Sequence, residues 1–343
     1  MEKKNNRFVL FLKKVWKRLT HYPTMITLIF IVPFVLFLGR YFVTGDYLYS
    51  NLNFEGHTFS VTHENFRITK INRIKKIVDI SSYSNYQGGT CFRNYYLLCS
   101  NNFECILIYD TDTMKVAHTI YTGMTNTDYH CNTLFFGSSF YSSVDKFPIL
   151  YISMENVNQT IGFHIYEKGG VLSIEKIQTI TLKFNDSNRL YYPNSYYDYE
   201  HDLLYYSGYT KKGSYRKADD NLLRYHVFSM PDYRLQEVEL DIKDDTLDTF
   251  DLPSETAAQG GFISEGYLYQ TFCFNKKNDP LNCPKFRVID LKNKSLLHDF
   301  QDIGQYGQYD EFENVAVTDD NRLIGFGITT LSLYQFVYED TSN

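Results

Sequence analysis

The twelve residues from Val78 to Gly89, VDISSYSNYQGG, recur as FDLPSETAAQGG from Phe250 to Gly261, with Asp, Ser, Gln, Gly and Gly in matching places. The same order follows each copy: a strand (Asn94 to Leu98; Gly266 to Tyr269), a turn, a second strand ending in Asp (Ile106 to Asp110; Phe286 to Asp290), then a third. A chain that repeats a three- or four-stranded unit can bury each unit only by stacking it on the next, which is the signature of a β-propeller. Further units begin near His130, Pro193 and Glu311, each with alternating or continuously apolar segments of strand length. The last unit, NVAVTDDNRLIGFGI and SLYQFVYED, lacks an outer strand, and the strand-like segment from His57 to Ile80 has no unit of its own. The expectation is a five-bladed propeller closed by that segment, which removes the open edges. Six blades is the alternative, if residues 46–80 form more than closing strands or the long second unit divides.

Composition supports the all-β reading: 31 Tyr and 27 Phe against one Trp suit pleated strands and their cross-strand pairs. The segment LQEVELD is read as the outer strand of the third unit, and KDDTLDTFDLPSET and TKKGSYRKADD as surface loops. The net charge of −6 conceals an asymmetry, because residues 1–43 carry eight Lys or Arg and one Glu, leaving −13 on the remaining 300. An acidic main domain lacks the basic face that displaces counterions from a phosphate backbone, so nucleic acid is excluded as a partner.

From Met25 to Val43 the chain reads MITLIFIVPFVLFLGRYFV, long enough as a helix to approach the bilayer's hydrocarbon thickness. Lys3, Lys4, Arg7, Lys13, Lys14, Lys17 and Arg18 precede it, whereas no Lys or Arg lies between Arg40 and Arg67. That bias places the N-terminus in the cytoplasm. No small-x-small cleavage site follows the run, so an uncleaved signal-anchor is favoured over a signal peptide. The division is a cytoplasmic basic tail (1–24), a transmembrane signal-anchor (25–43) and an extracytoplasmic propeller (46–343), with Arg7 to Leu19 either lying along the inner leaflet or only setting topology.

All six cysteines follow the anchor, on the side where disulfides persist. Cys99 and Cys105 flank one predicted hairpin turn, and Cys273 and Cys283 flank the corresponding turn of the repeat, so both pairs are candidates to staple hairpins. Cys91 and Cys131 remain as a third pair, and half-buried free thiols are the alternative. No paired Cys/His spacing suits zinc, and no metal or cofactor is expected.

In a propeller the first strand of each blade lines the central channel. The repeat starts supply Gln87, His130 with Asn132, Asn194 with Asp198, Gln259, and Glu311 with Glu313. A ring of amides, one imidazole and a few carboxylates suits a small polar ligand such as a glycan, or a partner protein, since amides both donate and accept. The alternative is that these groups satisfy one another and channel water. His130, with Glu313 as partner across the ring, is the one acid–base candidate, and with Asp198 it forms the basis of a glycan- or ester-hydrolase alternative. The glycines at 88, 89, 260 and 261 are read as permitting close strand approach. No nucleophile elbow, phosphate loop, dinucleotide fingerprint or HExxH motif occurs.

His130-Cys-Asn132, Asp145-Lys-Phe-Pro-Ile-Leu-Tyr151 and Glu311-Phe-Glu-Asn314 stand where uncharacterised bacterial exported β-propeller proteins carry HCN, DKFPxLY and EPEG motifs, and residues 75–340 resemble that group. The late motif departs from it at the second and fourth places. The resemblance implies an exported bacterial propeller and carries over no catalytic residues; with the anchor reading, the expectation is a single-pass protein of the cytoplasmic membrane with the propeller in the periplasm or outside.

Overall fold

The computed structural model describes residues 53–77, 85–124, 126, 128–212, 222–254, 256–273, 284–297, 301–304 and 310–340. The basic tail, the apolar run 25–43 and Cys283 lie outside the described residues. Among the described residues no helix is long and apolar enough to cross a membrane.

Strand β1 (Phe66–Lys76) precedes the repeats. The first blade is β2 (Tyr86–Phe92), β3 (Tyr95–Ser100), β4 (Cys105–Asp110) and β5 (Lys115–Tyr121). The second is β6 (Cys131–Phe136), β7 (Leu150–Met154), β8 (Gln159–Lys168) and β9 (Val171–Lys183). The third begins with β10 (Tyr191–Asp198), β11 (Leu203–Tyr209) and β12 (Leu222–Ser229); β13 (Glu237–Asp241) leaves it, and β14 (Asp248–Pro253) completes it. The fourth is β15 (Ala258–Ser264), β16 (Tyr267–Phe272) and β17 (Lys285–Asp290), edged by the short β18 (Ser295–Leu296) and β19 (Gln301–Asp302). The fifth is β20 (Phe312–Val317), β21 (Leu323–Gly327) and β22 (Ser332–Asp340), and β1 pairs antiparallel with β22 to supply its outer strand. The ring therefore has five blades and closes through the N-terminal segment, as the unpaired repeat predicts.

Inner strands such as β6 and β20 are buried along their whole length, including the polar Asn132, Thr133, Glu313 and Asn314, whereas the outer β5 is mostly exposed. Apolar side chains collect in five seams between neighbouring blades. Phe92 and Leu97 meet Leu134 and Ile152; Phe135 and Tyr151 meet Tyr197 and Leu204; Tyr225 and Leu223 meet Ile263 and Leu268. Phe286 and Val288 meet Phe312 and Val315 together with Ile68 and Ile71 of β1, and Ile324 and Ala316 meet Leu98 and Tyr96.

Two assignments at the third blade change. LQEVELD is not its outer strand: β13 runs parallel to β9 and extends the second blade, held there by Gln178, whose Nε2 donates to the carbonyls of Asp232 and Leu235 at 2.8 and 2.9 Å. The outer strand is β14, inside the stretch read as a loop. Its Phe250 and Leu252 are buried, and Phe250 stacks on Tyr225 at 4.8 Å.

The five described cysteines are buried, and the thiols of Cys91, Cys99, Cys105 and Cys131 are free. Cys99 and Cys105 cannot staple their hairpin because Cys99 pairs with Ile106, so Cys105 has the opposite parity and faces the other side of the sheet. Cys99 accordingly joins the seam with the second blade, and Cys105 the seam with the fifth. Cys91 and Cys131 are likewise in different seams. Cys273 directs its thiol to the carbonyl of Asp310 at 3.7 Å, and its proposed pairing with Cys283 lies partly outside the described residues.

Candidate functional site at the channel mouth

Each inner strand bulges near its start. Between Tyr86 and Gly89, Cys131 and Leu134, Tyr191 and Asn194, Ala258 and Gly261, and Phe312 and Val315 the inner strand advances three residues while its partner advances two. A bulge inserts one unpaired residue and re-aims a side chain. The first extra positions are Gln87, Asn132, Tyr192, Gln259 and Glu313, one from each blade at one level of the channel. Four of these are predicted ring residues. The third blade supplies Tyr192 in place of Asn194, with Tyr192 at a φ of 59°. Asn194 sits two residues deeper and reaches sideways, its Nδ2 donating to the carbonyl of Ala258 at 3.4 Å.

The repeated glycines serve the same level by close approach. A Cβ on Gly260 would lie 2.8 Å from the Glu313 carbonyl and the Asn314 side chain, and one on Gly89 would strike the Tyr96 hydroxyl and come within 2.8 Å of Asn314 Oδ1. Asn314, fully buried, bridges the fifth and first blades: its Nδ2 donates to the Gln87 carbonyl and its Oδ1 accepts from Tyr96.

His130 does not meet Glu313. Its Nε2 lies 3.8 Å from Oε2 of Glu155, a residue whose amide bonds the His130 carbonyl at 3.1 Å across the β6–β7 hairpin. Asn132 Nδ2 donates to the same Glu155 oxygen at 2.9 Å. Burial pushes the Glu155 carboxyl up to about 8 and lowers the His130 imidazole. Glu313 is pushed well above the usual carboxylate range by burial and by the neighbouring Glu311, Asp310 and Glu155. Glu155 belongs to the second blade and Glu313 to the fifth. Glu155 went unnoticed in the sequence because it follows a second strand; the signal was its place opposite His130, since Cys131 pairs with Met154.

Gln259 is partly satisfied, its Nε2 donating to the Cys273 carbonyl at 3.1 Å and to Glu311 Oε1 at 3.4 Å. Gln87 Oε1, Asn132 Oδ1 and Glu313 Oε2 are buried without a hydrogen-bond partner among the described residues. The mouth thus presents an excess of acceptors. It can receive hydrogen-bond donors.

Asp198 is not at this mouth. It ends β10 at the far end of the channel, where its carboxylate accepts from the Glu200 amide at 3.0 Å and from His201 Nδ1 at 2.9 Å. That end is covered by residues 53–58. Phe54 packs edge-on against Phe92 and Tyr199 at 5.0 and 5.3 Å, and the ring of His57 bonds the Cys91 carbonyl at 3.1 Å and Asp319 at 2.6 Å. A cavity of about 580 Å³ between this segment, Asp198 and Ser264 lies outside the channel ring.

No family model matches the chain, and no curated protein matches it in sequence. Among solved structures it is similar to the glutaminyl cyclase of Myxococcus xanthus, at 11% identity and TM-score 0.44 over 80% of this chain and 96% of that one. It is similar also to the hydrazine synthase of Kuenenia stuttgartiensis (8%, TM-score 0.36, 70% of this chain and 61% of that one) and to a streptogramin B lyase (8%, TM-score 0.38, 82% and 100%). At these identities and scores no site residue or activity is carried across.

Proposed function

We propose that the chain is a membrane-anchored, extracytoplasmic binding propeller of the exported bacterial kind, taking a small, donor-rich polar ligand such as a glycan at the mouth ringed by Gln87, Asn132, Gln259 and Glu313. The observation that carries this reading is the set of buried acceptor oxygens at one level of a channel whose other end is covered by the chain's own residues 53–58. Unpaired buried acceptors are costly, and a ligand rich in hydroxyl or amino donors relieves that cost on binding. The anchor and its orientation rest on residues 25–43 and the basic tail before them.

Binding is favoured over hydrolysis on chemical grounds. Two-carboxylate glycoside hydrolysis needs one carboxyl protonated and the other ionised. Here Glu155 and Glu313 are pushed in the same direction, and Asp198, the third group of the hydrolase alternative, stands at the opposite end. The test is a glycan and peptidoglycan-fragment array probed with the full chain in detergent, beside a His130→Ala/Glu313→Ala double variant. Saturable binding lost in the variant is expected; a wild-type chain that binds nothing on the array, or a variant that binds equally well, overturns the reading.

A further inference from the structure

Cys99 and Cys131 come from different blades and meet in one seam. Cys99 stands next to last in β3 of the first blade, and Cys131 opens β6 of the second. Both are 0% exposed and belong to the same apolar cluster. The chain leaving β3 is bonded to the start of β6, because the Cys131 amide donates to the Asn101 carbonyl at 2.9 Å. There the two thiols, both free in the structure, stand in hydrogen-bond contact, and Cys131 Sγ also lies 3.4 Å from Met154 Sδ. Cys91 and Cys105, by contrast, lie on β2 and β4 with β3 between them, two strand spacings or about 10 Å apart, which exceeds the Cα separation a disulfide accepts. Cys131 is also the last paired residue before the bulge that carries Asn132, so whatever fixes Cys131 fixes the root of that bulge.

We propose that Cys99 and Cys131 form a disulfide that fastens the first blade to the second beside the ring residue Asn132. The proposal rests on the extracytoplasmic reading for the oxidising compartment it needs. The oxidant is a small-molecule disulfide, such as oxidised glutathione, or the disulfide of a thiol oxidoreductase. One cysteine thiolate attacks a sulfur of that disulfide and displaces its thiolate; the second attacks the protein-side sulfur of the mixed disulfide, forms the S–S bond and displaces the other thiolate. Two protein thiols are oxidised, and the two electrons and two protons leave on the oxidant's two thiols. The exchange belongs to folding, before the seam closes, because in the finished seam burial pushes the Cys99 thiol well above its ordinary range and keeps it from ionising. Joining residues 99 and 131 closes a loop that contains β4 and β5, so the bond restrains the unfolded chain as well as the seam.

The test uses the full chain, produced in a bacterial host with a thiol-oxidising periplasm, blocked with N-ethylmaleimide before extraction in detergent, digested and mapped by mass spectrometry. A second sample is unfolded in urea with dithiothreitol, refolded in detergent with reduced and oxidised glutathione, and mapped in the same way. A peptide linking Cys99 to Cys131 is expected in both, with maleimide on Cys91 and Cys105. Dithiothreitol should lower the urea midpoint of the wild type by roughly 1 M and leave that of a Cys99→Ser/Cys131→Ser variant unchanged. Maleimide on both Cys99 and Cys131 in the refolded chain, or a link from either to another cysteine, overturns the proposal. A linked peptide after refolding but free thiols in the sample as produced keeps the pairing and removes the extracytoplasmic reading. Should refolding fail, the sample as produced decides alone.

Discussion

At the scale of single residues, the ring is held together by polar groups whose positions follow from register. Asn314 is the clearest case, since it lies fully buried and ties the Gln87 carbonyl to the Tyr96 hydroxyl between the last and first blades. Asn314→Ala leaves a buried hydroxyl and a buried carbonyl unpaired and should lower unfolding stability by about 2–4 kcal/mol, read from urea denaturation. His226 supplies a pH dependence of definite sign. Burial on β12, with the Arg224 guanidinium nearby and only partly opposed by Asp251, holds its imidazole down at about 4, against an ordinary 6.5. Between those values the unfolded chain takes up a proton that the native chain refuses, so stability is full above about 6.5 and declines as pH falls toward 4. The loss should be about 1–2 kcal/mol, allowing for screening, and His226→Gln should flatten it when urea midpoints at pH 7 and 4.5 are compared.

At the scale of elements, the closing strand is the part on which the most depends. β1 gives the fifth blade its outer edge and places Ile68 and Ile71, both buried, in the seam with the fourth. Ile68→Ala should cost about 2–4 kcal/mol by lost burial and cavity formation. A variant lacking residues 66–76 should expose the edge of β22 and aggregate, seen as a shift to the void volume on size exclusion; a monomeric, cooperatively unfolding product would contradict the closure. This closure was legible in the sequence because a strand-like segment stood before the first repeat and the last repeat was one strand short. The third blade was not. β14 hides in KDDTLDTFDLPSET, where the acidic and Thr residues of an exposed edge strand look like a loop, and only Phe250 and Leu252 keep the alternation. β13 alternates as clearly, yet its neighbour is β9, a choice made by the turn at Asp232–Leu235 docking on Gln178 rather than by its own residues. The cysteines failed for a related reason: sequence spacing brought Cys99 and Cys105 to one hairpin, but pleat parity sent them to opposite faces.

At the scale of the whole molecule, five blades surround a channel with unlike ends. One is covered by residues 53–58, with Phe54 and His57 packed over the inner strands. The other is ringed by a bulge at the start of each blade's inner strand. The repeat signature marked that level, since Gln87 and Gln259 occupy equivalent places, and Asn132 and Glu313 join them. Tyr192 and Glu155 were not legible, the first because a bulge shifts the count by one residue, the second because it arrives from a neighbouring strand. The central claim is that ligand enters at this level and nowhere else. Its most direct test is a crystal structure of the full chain with the strongest array ligand. Ligand density touching Asn132 and Glu313 at the open mouth is the predicted result; density confined to the cavity of about 580 Å³ beside Asp198, with the ring untouched, would contradict it.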